Sequence, residues 1–351
     1  SALSYAELAS RFPVSAGEAR YIREGLGRAW LARAAGWGVA LTGVVSAATL
    51  SVAFSGFLRD LTGAPPVVGR VGVVALLVLV ASWGMAQSAA LTILITVIEV
   101  GTLLVIVGAS GRSFATLPER AGELFAPHSL AAALGVGSGA FLAFYSFIGF
   151  EDMVNEAEEV RRPRRTLPLA LVFALTLTTA LYMLVSVAGA LSVEPGELAA
   201  SDTPLATLAR RVGLGGAGAI PIVSMLAGVN GALVQIVMSS RVLYGMARQG
   251  DAPAPLARVH PRSRTPLTAT LIVGGVVLAL SLLLGLVALA KITSAIILGV
   301  FILVNASLVA IKLRPPPGEE APAFRVPVAV PLLGGAVCAV MLALEVWRQL
   351  G

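Results

Sequence analysis

The chain has 351 residues, 57% of them hydrophobic and 13% charged, against about 45 to 50% apolar and 25% charged in soluble domains; this excludes an ordinary soluble domain and intrinsic disorder alike. A single cysteine, Cys338, excludes a disulfide framework, and two histidines, His128 and His260, leave too few soft ligands for a zinc centre. The formal charge of +6 sits in short basic clusters between apolar runs rather than along one amphipathic face, which points to a lipid bilayer as the partner and away from nucleic acid.

In chain order, residues 1–9 read as the last turns of an apolar helix that meets a basic stretch over 11–33. Position 1 is Ser and no signal-peptide pattern follows it, so the first helices are expected to lie outside this sequence. On that expectation the 351 residues alone neither bind nor transport substrate. Uncharged runs then appear at 34–58, 124–150, 166–193, 212–240, 265–290, 292–311 and 326–344. Each is long enough for one crossing, which needs about 20 apolar residues. The run 71–111 carries one charge, Glu99. At 1.5 Å per residue it makes about 60 Å of helix, two bilayer cores, and is predicted to fold back over Trp83-Gly84-Met85-Ala86-Gln87-Ser88. Lys291 is read as the connection between the spans 265–290 and 292–311. The total is nine spans, all helical, because unclosed strands leave backbone groups unsatisfied in lipid.

Alternating spans place 1–33, 84–88, 151–165, 241–264 and 312–325 on one side, with 17 of the 25 Lys and Arg. The positive-inside rule makes that side cytoplasmic, in a multi-pass protein of the cytoplasmic (inner) membrane.

Function is sought where membrane helices carry unusual residues, because polar groups in hydrocarbon are costly. Residues 135–168 are the most informative. Gly135, Gly137 and Gly139 read as close helix packing rather than a dinucleotide fingerprint, since no strand precedes them. Gly149 differs in its setting, between Tyr145-Ser146-Phe147-Ile148 and Phe150-Glu151-Asp152. A helix broken there frees backbone groups for a ligand, which is tolerated only beside a cavity.

The stretch Tyr145-Ser146-Phe147-Ile148-Gly149-Phe150-Glu151, then Ala157-Glu158-Glu159-Val160 and Arg161-Arg162-Pro163-Arg164-Arg165 to Pro168, resembles the signature around the sixth helix of amino acid permeases of the APC (amino acid, polyamine and organocation) superfamily. Two further stretches agree. Ser1 to Leu8 with Gly17-Glu18 and Tyr21 is similar to the end of that family's second helix and its cytoplasmic continuation. Ser239-Ser240-Arg241-Val242-Leu243-Tyr244-Gly245-Met246-Ala247-Arg248, with Gly250 and Pro253, is similar to the end of its eighth. The resemblance covers essentially the whole chain in the right order.

The resemblance implies an all-α, LeuT-like inverted-repeat transporter fold of twelve helices, of which about nine are present here as helices three to eleven. It divides the chain into 1–33 (end of the second helix and cytoplasmic connection), 34–123 (helices three to five), 124–311 (the second repeat, helices six to ten) and 312–351 (connector and eleventh helix). It further implies that carbonyls around Tyr145, Ser146 and Ile148 receive a substrate ammonium and that Tyr145 acts as an aromatic lid. Phe147, Gly149 and Phe150 complete the segment, and Gln235 faces the pocket from the eighth helix. The competing reading of Phe144, Tyr145, Phe147 and Phe150 is core packing, and of Gln235 an interhelical hydrogen bond. Asn230 and Asn305 read as packing glue.

Glu99 lies near the centre of its span, where several family members resemble one another in carrying a lysine in place of a coupling sodium ion. Glu99 and Glu151 are coupling candidates, with Ser239 and Ser240 in the region facing that ion site. Glu99 is otherwise a structural carboxyl bonded to a neighbouring Ser or Thr. The acidic run Glu156, Glu158, Glu159 and the basic run Arg161 to Arg165 read as topology, or as links that close an inner gate. Pro315-Pro316-Pro317 reads as a stiff connector.

These readings together describe a secondary transporter, driven by protons or by a counter-substrate, for an amino acid or related amine, with no cofactor and no enzymatic activity. The alternatives are a membrane-embedded enzyme, disfavoured by the lack of a metal set, nucleophile and base pair or phosphate loop, and a passive channel or assembly subunit.

Overall fold

The computed structural model describes residues 1–14, 17–83, 89–125, 129–155, 157, 160–201, 203–214, 219–261, 263, 265–314 and 322–350. Among them there is no strand. Two short helices lead, α1 (Ala2–Arg11) and α2 (Gly17–Leu26), followed by the long α3 (Ala29–Thr62), α4 (Pro66–Trp83) and α5 (Ala89–Ala109). The short α6 (Gly111–Phe114) and α7 (Leu117–Phe125) connect to α8 (Leu130–Phe144), which breaks before α9 (Asp152–Asn155). Then come α10 (Pro163–Ser192), the short α11 (Pro195–Ala200) and α12 (Pro204–Arg211), α13 (Ala219–Arg248), α14 (Leu267–Leu283), α15 (Leu286–Leu313) and α16 (Ala329–Leu350).

Among the described residues seven helices are long and apolar enough to cross a membrane, and the apolar helices Ile93–Ala109 and Leu267–Leu283 are shorter. Together they occupy the nine positions at which uncharged runs were expected to cross. The fold-back expected at 84–88 lies outside the described residues, as do Glu156, Glu158, Glu159 and Pro315-Pro316-Pro317.

One connection is corrected. The break between the eighth and ninth crossings falls at Leu284 and Gly285, and Lys291 lies inside α15. Its ammonium donates to Glu345 Oε1 of α16 at 2.5 Å, and a paired charge no longer has to lie at the end of a helix.

Local chemistry explains several ends. Gly63 closes α3 in the left-handed conformation, φ 74°, its N–H reaching the Arg59 carbonyl. Ser129 caps α8 by accepting the Ala132 N–H at 3.1 Å, which satisfies one of the orphan donors of a helix start. Pro163 opens α10, where its missing N–H costs nothing.

α3 is the axis of the bundle, packed against α13, α15 and α4. Tyr5, Tyr21, Ile297 and Phe301 are fully buried in one core shared by α1, α2 and α15, and Val44, Leu77, Ile236 and Val273 in a second shared by α3, α4, α13 and α14. Outward-facing Leu76, Leu79, Leu104, Val105, Phe173 and Leu333 are exposed, as the lipid-facing surface of a bundle requires.

Charge inside the bundle is matched at one place with unusual completeness. Glu7 of α1 is fully buried, accepts from Arg11 at 2.7 Å and from Lys312 of α15 at 2.6 to 2.7 Å, and takes the Val326 N–H at 2.8 Å.

Candidate functional site

The site grows from the failure of one helix. α8 ends at Phe144, Tyr145–Phe147 tighten into a 3-10 turn, and Ile148 is extended, φ −69° and ψ 137°. Gly149 then takes φ 120°, a conformation that side chains with a Cβ rarely adopt. The polypeptide resumes as α9 three residues later.

Carbonyls inside a continuous helix accept from four residues ahead, so the break releases some of them. The Tyr145 carbonyl accepts from Ile148 N–H at 3.2 Å. Among the described residues no backbone N–H reaches the carbonyls of Ser146, Phe147 or Ile148. Gly149 has its N–H directed to Glu151 Oε2 at 2.9 Å, and a Cβ built on it would meet nothing within 4 Å. Unsatisfied carbonyls beside open space are acceptors in search of a donor.

Neighbouring helices supply polar groups. The Tyr145 hydroxyl lies 3.2 Å from Ser46 Oγ and 3.4 Å from the Ser46 carbonyl on α3. Gln235 Nε2, from the middle of α13, donates to Asp152 Oδ2 at 2.9 Å. At Gly43 of α3 a Cβ would sit 2.9 Å from Gln235 Oε1, so glycine there lets α3 and α13 approach closely enough to confine that side chain.

The aromatic residues divide. Phe150 packs on Tyr5 and Phe301 with ring centroids 5.5 and 5.3 Å apart, and Phe144 packs on Phe301 at 5.9 Å; both belong to the core. Phe147 instead meets Tyr182 of α10 at 5.3 Å. Ile148 packs against the core with Phe150, while Ser146 is exposed.

Glu99 sits on α5 within electrostatic range of Tyr182. Its Oε1 is buried with no hydrogen-bond partner among the described residues. Tyr182 thus lies between Glu99 and Phe147 of the break. Glu151 is 2% exposed. Ser239 lies one turn beyond Gln235, with its hydroxyl buried and unpartnered among the described residues. Ser240 turns to its own helix, donating to the Val237 carbonyl at 2.8 Å. Asn305 holds α15 to the chain start, donating to Phe301 O and Ser1 Oγ and accepting from Ser4, whereas the Asn230 oxygen has no partner among the described residues.

Sequence reasoning passed over Ser46 and Asp152 as site residues. Ser46 is one of many small residues on α3, and nothing nearby marks it. Asp152 had a signal, a second carboxyl beside Glu151 at the end of an apolar run.

A cavity of about 1280 Å³ opens beside this region, lined by Glu18, Arg23, Arg33, Asn155, Arg241 and Tyr244 among others.

A broken helix, with carbonyls that no backbone donor reaches, in a bundle of helices long and apolar enough to cross a membrane defines a polytopic membrane protein with a polar interruption. The amino acid permease family model matches residues 1–347, and the chain belongs to that family. It is 36% identical over 283 residues to an uncharacterised transporter of Mycobacterium tuberculosis, covering 80% of this chain and 62% of that protein. It is 28% identical over 357 residues to the branched-chain amino acid permease BcaP of Bacillus subtilis, covering 95% and 74%. It is 29% identical over 340 residues to the vacuolar cationic amino acid transporter 4 of Arabidopsis thaliana, covering 91% and 56%. The chain therefore spans 62% of the length of the mycobacterial relative.

Proposed function

We propose that the protein is a secondary transporter that moves an amino acid or related amine across the cytoplasmic membrane by alternating access, coupled to protons or to a counter-substrate. The observation that carries this reading is the interruption at 145–151, where carbonyls without backbone donors lie beside a glycine that faces open space. An ammonium group is the donor such carbonyls suit, and a helix broken at mid-bundle is where transporters hold their cargo. The names of the permease and transporter relatives support the same class.

In this reading the carbonyls around Tyr145, Ser146 and Ile148 take the ammonium, and Gly149 leaves room for ligand. Tyr145, tethered to Ser46, is the aromatic lid over the bound ligand, and Gln235 holds its neighbour Asp152 beside it. Phe147 passes strain at the break to Tyr182 and so to Glu99, the candidate proton carrier, while Glu151 and the Ser239 and Ser240 pair flank the route. The repeats 34–123 and 124–311 are the two arms that rock, and the more basic loops face the cytoplasm.

The test is counterflow by the full-length protein in proteoliposomes loaded with unlabelled leucine or lysine and presented with the labelled amino acid outside. Saturable, trans-stimulated accumulation of unchanged solute is expected. Flux linear in concentration identifies a channel, and a modified solute identifies an enzyme; either overturns the proposal. Labelling of single cysteines at positions 201 and 263 tests the orientation. Reactivity at 263 alone from outside intact cells reverses it.

A further inference from the structure

Helix α2 is docked tightly at both ends. A Cβ on Gly17 would lie 2.9 Å from Val154 Cγ2 of α9, and one on Gly25 would lie 2.6 Å from the Ser307 backbone of α15. Beyond it Gly27 takes φ 64°, and a Cβ built there would meet nothing within 4 Å, which makes it an unpacked left-handed joint before α3 begins.

The docked face carries an acid. Glu18 is 2% exposed, and Glu151 and Asp152 of the broken helix lie within electrostatic range of it. Tyr5, Tyr21 and Asn155 stand around it. The hydroxyl of Tyr5 and the amide of Asn155 sit against the Glu18 carboxyl without closing a hydrogen bond of normal geometry. Tyr5 Oη, Tyr21 Oη, Asn155 Nδ2 and Glu18 Oε1 all lack a partner among the described residues. Both tyrosines are fully buried.

The nearby cations are engaged elsewhere. Of the arginines lining the adjoining cavity, Arg20 pairs with Glu24 at 2.9 Å, and Arg23 and Arg33 lie 4.0 and 3.5 Å from Asp251. Among the described residues no ion pair joins these, or Arg241, to Glu18 or Glu151.

A buried carboxylate beside two further acidic side chains, with neutral donors only, is far costlier than a carboxylic acid. We propose that Glu18 is a proton-binding site, and that a proton held there is what keeps α2 docked against the broken helix. The cavity beside Glu18 is the route by which the proton enters and leaves. Loss of the proton places a buried negative charge next to the acidic side chains of Glu151 and Asp152, and α2 releases about Gly27.

The pH window follows. Burial, with the Asp152 charge adding to it, pushes the Glu18 carboxyl up from 4.5 to about 8, whereas an undocked Glu18 in water returns to the lower value. Docking therefore takes up a proton between those two pH values. It is strongest below the lower one, weakens up to tenfold for each unit in between, and has lost its proton-dependent support above about 8.

Amide exchange of residues 17–26 in the detergent-solubilised protein tests this without substrate, so its result is independent of whether the protein transports. Expressed as protection factors, protection in the wild type is expected to fall several-fold to tenfold per unit between pH 5 and 8. Glu18→Gln, which keeps the shape and cannot ionise, flattens the profile. Asp152→Asn moves the midpoint to lower pH. A Glu18→Gln profile that still follows the wild type overturns the proposal. So does protection restored at pH 8 by sodium in place of choline, which makes the ligand a metal ion. If Glu18→Gln does not fold, infrared titration of the wild type decides: a protonated carboxyl band that bleaches near pH 8 supports the site, and its absence at pH 6.5 removes it.

Discussion

Two buried acids on adjacent short helices are treated in opposite ways. Glu7 of α1 meets Arg11, Lys312 and a backbone N–H, all within 2.8 Å. Glu18 of α2, equally hidden from solvent, has an unpartnered oxygen and two more carboxyls nearby. A compensated charge fixes α1 to α15 and the chain leading into α16 under all ordinary conditions. An uncompensated one makes the position of α2 conditional, because its cost depends on whether a proton is present. The difference separates a part of the bundle that must stay still from a part able to move.

Substitution tests the contrast from its strongest side first. Glu7→Ala removes the buried carboxylate that Lys312 and Arg11 share and is expected to destabilise the protein by about 3 to 5 kcal/mol, read as a large drop in the thermal transition in detergent. A transition within the error of the wild type erases the distinction. Gly149→Leu forces a Cβ into a backbone of φ 120° and costs about 1 to 3 kcal/mol. In the full-length protein it is expected to abolish substrate binding, by scintillation proximity, with membrane insertion intact; binding at wild-type affinity removes the pocket from Gly149.

Smaller effects sharpen the picture. Tyr145→Phe deletes the hydroxyl bond to Ser46 and is expected to cost about 0.5 to 1.5 kcal/mol of stability, with substrate leaving faster in washout experiments. Unchanged washout returns Tyr145 to a packing role. Glu18→Gln at pH 7 should leave stability unchanged or raised, opposite in sign to Glu7→Ala, and a loss comparable to Glu7→Ala contradicts the reading of Glu18 as uncompensated. Glu99→Gln changes only the slope of uptake against pH. A preserved slope makes Glu99 structural.

The membrane helices were legible because charges bracket apolar runs and hydrocarbon punishes exceptions. The same rule failed at Lys291, where a charge sits within α15 because Glu345, 54 residues away, neutralises it. A rule that treats each charge alone cannot see its partner. The break at Gly149 was legible for a local reason, a glycine between aromatic and acidic residues inside an otherwise continuous run. Which aromatics face the core and which face the site was not, since Phe147 and Phe150 differ only in meeting Tyr182 or Tyr5 and Phe301. Asp152 and Gln235 are 83 residues apart, and Glu18 reaches the same segment from α2. Such pairings belong to the packing of helices and leave no mark on the periodicity of any one of them.

Phe301 receives Phe144 from one side of the interruption and Phe150 from the other, with ring planes at 80° and 47°. Aromatic pairs are held by edge-to-face as well as offset arrangements. A single ring of α15 therefore anchors both ends of the interruption, and the five residues between Phe144 and Phe150 leave the helical path while its flanks share one footing. A break that is local in sequence is thus fastened to a side chain of another helix.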